Sequence, residues 1–158
     1  MRVALGSDHV GYALKLEAMK YVESLGHDAV DFGCYSEAIA DYPTYGERVG
    51  REVASGGCAA GVLICGTGVG ISLAANRVEG VRAAVCSEAY TAEYSRRHND
   101  ANVIAFGARV VDAATARRII GAFLSASFEG GRHTRRVRMI GEIGKRGGEH
   151  SIGSGDRE

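Results

Sequence analysis

The sequence predicts an α/β fold, with one five-stranded parallel sheet and helices on both of its faces. Short apolar segments rich in β-branched residues alternate five times with helical patterns, and buried parallel strands are typically apolar throughout. Glycine supplies 23 of the 158 residues against one proline, about twice its average share of ~7%, which indicates many tight turns. Because crossovers between parallel strands are right-handed, we expect a Rossmann-like sheet.

Five segments have the composition of buried strands. They are Val3–Gly6, Ala29–Phe32, Gly61–Cys65, Val81–Cys86 and Asn102–Phe106. In such a sheet, functional groups collect in the loops beyond the carboxyl ends of the strands.

The helices between these strands are predicted from apolar periodicity and from end signals. The first covers residues 10–25, where apolar residues recur with a 3.6 period and Gly26 supplies the stop. Pro43 suits the first turn of the second helix. Ser87 and Asp112 are predicted as the N-caps of two later helices.

The segment after the last strand–helix unit differs in composition. Residues 132–146 contain six Lys or Arg and one Glu, with a narrow apolar stripe at Val137, Ile140 and Ile143 that we expect to dock on a neighbouring subunit. The tail over 147–158 lacks a core pattern and is expected to be disordered. We therefore predict one domain over residues 1–146 followed by this tail.

Composition excludes several function classes. Nineteen basic residues balance nineteen acidic residues, so no global field holds nucleic acid or an anionic membrane. No apolar run reaches the roughly 20 residues that span a bilayer, which favours a cytoplasmic protein. The four cysteines lack metal-ligand spacing, so we expect reduced thiols, no metal and no cofactor.

The segment from Cys65 to Ser72 carries the strongest chemical signal. It follows the third strand and opens a helix, so its backbone N–H groups form an anion cradle and favour the thiolate of Cys65, a candidate base. The alternative is a buried cysteine with glycines that serve packing. The candidate residues of this loop are Cys65, Gly66, Thr67, Gly68, Val69, Gly70 and Ser72.

Other polar residues stand where they can complete a site. Asp8 and His9 end the first strand, although Asp8 can equally cap the next helix. His98 and Asn99 lie in a predicted loop before the fifth strand, where an imidazole suits proton transfer. Further candidates are Tyr42 beside the crevice, Arg109 after the fifth strand, and Arg132 with Arg136, whose i, i+4 spacing suits a phosphate clamp; ordinary surface or packing roles are the alternatives.

Five motifs in order resemble the type B ribose-5-phosphate isomerase family, which also contains allose-6-phosphate and galactose-6-phosphate isomerases. They are GSDHVGY, DYP, VLICGTGVGIS, RRHNDANVIAFGAR and GGRHTRRV, spread over residues 1–145. Some members carry a carboxylate base after the loop. This chain has Cys65, with Ala74 and Ala75 further on, and so resembles the cysteine group.

The resemblance implies an aldose-ketose isomerase of the pentose phosphate pathway, with an enediolate intermediate. Cys65 would move the proton between carbons 1 and 2 with Thr67 beside it, and the backbone of 66–70 would hold the enediolate oxygen. His98 would open the sugar ring. Asp8 and Asn99 would orient hydroxyls, while His9, Arg109, Arg132 and Arg136 would bind the phosphate. A homodimer or tetramer with shared sites is implied, in which His98, Asn99 and Arg109 face the Cys65 pocket of the other chain.

Two other classes compete with an isomerase. A dinucleotide-binding module is suggested by Gly66, Gly68 and Gly70, with Glu88 about 20 residues beyond Gly68. The dinucleotide fingerprint, however, needs a small residue at position 71, which is Ile71 here. It also normally follows the first strand, whereas this loop follows the third. A regulatory protein that only binds a sugar phosphate is the third class. Cys65 distinguishes an isomerase from such a protein, because binding alone needs no base.

Overall fold

The computed structural model describes residues 1–143, so the tail over 147–158 and the end of the domain at 146 lie outside the described residues. Five strands and six helices follow one another within this range. They are β1 (Arg2–Ser7), α1 (Tyr12–Ser24), β2 (Asp28–Asp31), α2 (Tyr42–Ala54), β3 (Ala60–Cys65), α3 (Val69–Ala75), β4 (Ala83–Val85), α4 (Ala89–Asn99), β5 (Val103–Gly107), α5 (Ala113–Ser125) and α6 (Arg132–Glu142).

The strands form one parallel sheet in the order β2-β1-β3-β5-β4. This confirms the predicted α/β architecture. The central strand β3 is buried along its whole length, as its uninterrupted apolar sequence predicts. The edge strand β4 covers three residues instead of the six predicted over 81–86, because only Ala83–Val85 find partners on β5.

Helices cover both faces of the sheet. Val22 of α1, Ala92 of α4 and Ile119 of α5 share one buried cluster, whereas Val49 of α2 and Ile71 of α3 belong to the other. Alternate strand residues feed the two clusters, as the two-residue period of a strand requires.

Helix ends follow the predicted signals with one exception. Gly26 has a φ of 80° just after α1, and Asp112 accepts the N–H of Thr115 at 2.7 Å at the start of α5. The prediction of Ser87 as the cap of α4 is wrong. Glu88 is the N-cap, and its carboxylate accepts the N–H of Thr91 at 3.0 Å.

Helix α6 lies outside the three layers formed by the sheet and its two helical faces, and it packs on α4. Its buried residue is His133, while Met139 and Ile140 are about half exposed, at 49% and 48%. In residues 1–143, no helix combines the length and apolarity that crossing a bilayer requires.

Candidate active site

The two central strands β1 and β3 place Asp8 and Cys65 side by side. The chain leaves β1 toward β2 at one edge and returns to β3 on the other side, and ligands of open α/β sheets bind at such a reversal of strand order. Ser7 pairs with Ile64, so the next residues of the two strands, Asp8 and Cys65, meet at the carboxyl edge. We refer to the groups gathered here as the carboxyl-edge cluster.

Cys65 is held in a tight loop that directs a backbone donor at its sulfur. The N–H of Gly68 donates to Sγ at 3.1 Å, and the side chain is buried with 4% exposure. Gly68 has a φ of 80°, and a Cβ there would come within 2.9 Å of the Phe106 backbone. Glycine is therefore required at 68. Gly68 therefore both permits this turn and directs its N–H at the Cys65 sulfur.

Thr67 and Ser72 have different environments in the same loop. Thr67 is exposed and its Oγ1 accepts the N–H of Val69 at 3.3 Å, which leaves it at the surface beside Cys65. Ser72 is buried and its hydroxyl donates to the carbonyl of Val69 at 2.7 Å. The Ser72 hydroxyl is thus used within the first turn of α3, and its role as a substrate contact stays a prediction.

Asp8 and His9 follow β1 into the same edge. Asp8 is 6% exposed, and its Oδ1 accepts the N–H of Gly11 at 3.0 Å. One of the two carboxylate oxygens of Asp8 therefore stabilises the turn before α1, which is the alternative role that the sequence allowed. His9 accepts the N–H of Ala40 on Nδ1 at 3.2 Å, so the loop after β2 orients its ring.

Tyr42 and Arg109 complete the carboxyl-edge cluster from two other loops. The Tyr42 ring lies against Gly70, where a Cβ would come within 2.7 Å of it. The N–H of Arg109 donates to the carbonyl of Gly66 at 3.1 Å, and a Cβ on Gly66 would lie 3.7 Å from Nη1. Arg109 therefore groups with the loop of its own chain. It follows the carboxyl end of β5, whereas His98 and Asn99 precede the amino end; the expectation that all three face the Cys65 pocket of another chain stays a prediction.

His98 and Asn99 occupy the last turn of α4, not a loop as predicted. The His98 ring stacks on His133 of α6, with centroids 4.1 Å apart and planes 10° apart. Tyr94 contacts it edge-on at 4.8 Å, and Oε2 of Glu129 lies 3.6 Å from its Nε2. We call this set, with Arg132 and Arg136 of α6, the amino-edge cluster.

Sequence analysis missed Glu129 and His133. The available signal was that both residues stand next to other features of interest: Glu129 precedes the Gly130-Gly131 turn, and His133 follows the candidate Arg132. Burial lowers the pKa of His133, and the neighbouring charges of His98 and Arg132 lower it further. The hydrogen bond from Arg97 holds the pKa of Glu129 below its usual value. The amino-edge cluster therefore pairs an ionised carboxylate with a neutral His133 near neutral pH.

The two clusters lie at opposite ends of the sheet within one chain. Helix α4 leads into the amino end of β5, where Val103 pairs with Gly61, whereas Cys65 pairs with Gly107 at the carboxyl end. Four residues of strand separate these levels, about 13 Å at 3.3 Å per residue. His98 and Cys65 of one chain therefore do not share a pocket.

The ligand atoms of His98, Glu129 and His133 lie within 4.8 Å of one another, the one such group found among residues 1–143. The two rings are nearly parallel, so their in-plane lone pairs run side by side and do not converge on a point. Arg97 bonds the carboxylate and Arg132 bonds His133. This arrangement suits a charged hydrogen-bonding cluster better than a cation site.

A cavity of about 370 Å³ lies elsewhere, between the turn after α3 and the end of α6. Arg77, Arg82 and Ile140 are among its lining residues. It contains none of the predicted catalytic groups. The carboxyl edge of β1 and β3 is therefore the candidate active site.

Several known isomerases resemble this chain in sequence. The model of the ribose/galactose isomerase family matches residues 3–140. Ribose-5-phosphate isomerase B of Escherichia coli is 50% identical over 145 residues, 92% of this chain and 97% of that protein. A galactose-6-phosphate isomerase subunit of Clostridium acetobutylicum is 40% identical over 129 residues, 82% of this chain and 75% of that protein.

Solved structures extend the likeness to three dimensions. Ribose-5-phosphate isomerase B of Clostridium thermocellum matches with a TM-score of 0.90 and 50% identity, covering 92% of this chain and 98% of that chain. The enzyme of Mycoplasma genitalium, solved with bound ribulose-5-phosphate, matches with a TM-score of 0.87 and 38% identity, covering 92% and 97%.

Proposed function

The chain belongs to the ribose/galactose isomerase family, and we propose that it interconverts ribose 5-phosphate and ribulose 5-phosphate with the Cys65 thiolate as base. One observation carries the proposal. The N–H of Gly68 donates to Sγ of Cys65 at 3.1 Å, at the point where the strand order reverses. A pocket that only binds a sugar phosphate needs no activated thiolate, so this contact favours catalysis.

The reaction moves one proton between adjacent carbons. The thiolate takes the proton from C2 of the open-chain aldose, the electron pair forms the C1–C2 double bond, and the C1 carbonyl oxygen becomes the enediolate oxygen. The proton then returns to C1, a proton passes from the C2 hydroxyl to the C1 oxygen, and C2 becomes the carbonyl of the ketose. Backbone N–H groups of the 66–70 loop that are not already engaged by Cys65 or Thr67 stabilise this developing charge. Substrate and product have the same atoms and the same number of electrons, so the isomerisation needs no nicotinamide.

We further propose that each site is built from two chains of a homodimer. Within one chain, His98 and Asn99 lie at the other end of the sheet from Cys65, so a ring-opening imidazole must come from a second copy. Arg132 and Arg136 lie on the helix that carries His133 and would come with it to hold the phosphate. The exposed Ile140 and Ile143 on that segment suit burial by a partner.

Galactose 6-phosphate is the second candidate substrate. The 40% identity to a galactose-6-phosphate isomerase subunit favours it, although the same chain is 50% identical to a ribose-5-phosphate isomerase. Allose 6-phosphate belongs to the same chemical class. All four cysteines of the chain are free thiols, which supports the cytoplasm as the location of this reaction.

A turnover assay with ribose, ribulose, allose and galactose phosphates tests the function. We expect the pentose phosphates to be the best substrates of the wild type. Cys65→Ala should lose more than about tenfold in rate, at least ~1.4 kcal/mol of barrier, and still bind substrate. Cys58→Ala, which changes a buried cysteine after α2, is the matched control. A Cys65→Ala variant with near wild-type turnover would rule out the thiolate as base.

A further inference from the structure

Glu129 links Arg97 and His98 in the amino-edge cluster. Its Oε1 accepts from Nε of Arg97 at 2.6 Å, while Oε2 lies 3.6 Å from Nε2 of His98. Its backbone N–H also donates to the carbonyl of Arg97 at 3.0 Å. The carboxylate is thus fixed from two directions, at its charged end and at its backbone, before it meets the imidazole.

Every element that packs on His98 contributes a group to its environment. Helix α4 contributes Tyr94, edge-on to the ring, and Arg97. Helix α6 contributes His133, stacked on the ring, with the Arg132 Nε 3.3 Å from its Nε2 and Arg136 nearby. Glu129 is the acidic member of this set. Its carboxylate therefore offsets, at the His98 ring, the positive potential of Arg97, Arg132 and Arg136.

We propose that Glu129 is a positioning residue for ring opening, whose carboxylate lies beside Nε2 of the His98 imidazole and stabilises the imidazolium that forms during the reaction. This inference rests on the proposed function. During ring opening the anomeric hydroxyl gives its proton to His98, the bond between C1 and the ring oxygen breaks, and the ring oxygen takes a proton from the imidazolium. Because His98 is a cation between these transfers, a carboxylate at 3.6 Å stabilises that state.

Arg97 provides a matched control within the same helix turn. It pairs with Glu93 at 2.8 Å as well as with Glu129. Glu93→Gln therefore removes one charge from the same arginine without removing the carboxylate beside His98. Glu129→Gln removes that carboxylate and keeps the shape of the side chain. A difference between the two variants reports on the two stacked rings, His98 and His133, which Oε2 of Glu129 approaches to 3.6 and 3.8 Å, and not on the pairing of Arg97.

A pH titration of the His98 ring signals by NMR, in the full-length protein, tests the contact without using activity. The His98→Asn variant identifies the signals by their absence. Glu129→Gln should lower the midpoint of the His98 titration by roughly 0.5 pH unit, the scale of an exposed charge pair at this distance. Glu93→Gln should leave the midpoint in place. An unchanged midpoint in Glu129→Gln would overturn the inference.

Kinetics then test whether the contact serves ring opening. Glu129→Gln should slow turnover of cyclic ribose 5-phosphate several-fold and move the acidic side of its pH–rate profile to lower pH. In the His98→Asn background the same change should cost nothing further, because the two residues act as a unit. Equal losses in both backgrounds would show that Glu129 acts through the fold, and the inference would fail.

These outcomes separate the inference from the proposed function. If His98→Asn leaves ribose 5-phosphate turnover intact, the ring-opening assignment of His98 fails, and with it the catalytic part of the inference. The NMR midpoint still decides whether Glu129 sets the protonation of His98. If the midpoint moves as expected and His98→Asn is inactive, both statements hold.

Discussion

The backbone N–H of Gly68 donates to the sulfur of Cys65, three residues earlier in the chain, at 3.1 Å. The contact joins the last residue of β3 to the N-cap residue of α3. One glycine therefore does two things: it permits a φ of 80°, and it supplies the N–H that donates to the sulfur. The first two predictions concern these two residues.

Cys65 should be the thiol that reacts with an alkylating agent. Burial, with the charge of Glu88, raises the pKa of Cys86 to about 11, and burial raises the pKa of Cys58 as well. At about pH 8 these two thiols are protonated and react slowly. Iodoacetamide should inactivate the enzyme as it labels Cys65, and ribose 5-phosphate should protect. Peptide mapping checks the site, with Cys86→Ala as control; inactivation without label on Cys65 would contradict the assignment.

Gly68→Ala should cost more stability than Gly56→Ala. The two glycines have nearly the same φ, 80° and 81°, so the backbone strain of an alanine is matched. A Cβ at Gly56 meets nothing within 4 Å, whereas at Gly68 it meets the Phe106 backbone. We expect about 1 kcal/mol for the first variant and on the order of 3 kcal/mol for the second.

Urea unfolding measures both changes, and turnover adds a functional readout. Gly56→Ala should keep full activity, because it lies in the turn after α2. Gly68→Ala should lose activity at temperatures where it is still folded, since the loop must move to admit the methyl group. Equal costs for the two variants would mean that the contact with Phe106 relaxes freely.

The sheet and its helix positions were predictable because each depends on local pattern. Five apolar segments, Gly26 and Asp112 all carry signals within a few residues of the feature they determine. The cap of α4 was not predictable in this way, because Ser87 and Glu88 are both able to cap. The backbone entering α4 selects Glu88, whose carboxylate accepts from Thr91.

The carboxyl-edge cluster was also predictable, since parallel strands bring the residues after β1, β3 and β5 to one edge. The amino-edge cluster was only partly so. The stacking of His98 on His133 joins α4 to α6 across 35 positions of sequence, and no local pattern encodes which face of α6 turns inward. Arg109 lies apart from His98 and Asn99 within one chain for a related reason: motifs that are neighbours in the sequence stand at opposite ends of β5.

Mixing two inactive variants should restore activity if the sites are shared. In a hybrid of Cys65→Ala and His98→Asn chains, one site receives both changes and the other receives neither. Random exchange makes about half of the dimers hybrid, so about a quarter of wild-type activity should return. Turnover after subunit exchange measures it.

The doubly changed chain, Cys65→Ala with His98→Asn, is the control for this mixing. Combined with His98→Asn chains, it offers no site with both groups intact, so activity should not return. Exchange itself is verified by mass spectrometry of differently tagged chains. Complete exchange without recovery in the first mixture would indicate that each site is built from a single chain.

His98→Asn should separate ring opening from isomerisation. Ribose 5-phosphate is mainly a furanose, whose opening needs proton transfer at the anomeric and ring oxygens, whereas ribulose 5-phosphate enters in linear form because its phosphate occupies the oxygen that a furanose would need. Turnover of the cyclic aldose should therefore fall by about 10²-fold or more, the usual scale of a lost general acid–base group. Formation of open-chain aldose from the ketose, followed in a single turnover before ring closure, should fall much less.

His27→Asn, which changes a histidine in the turn after α1, should alter neither direction. Equal losses in both directions for His98→Asn would place His98 at the enediolate step, because only a group that acts after ring opening is shared by the two.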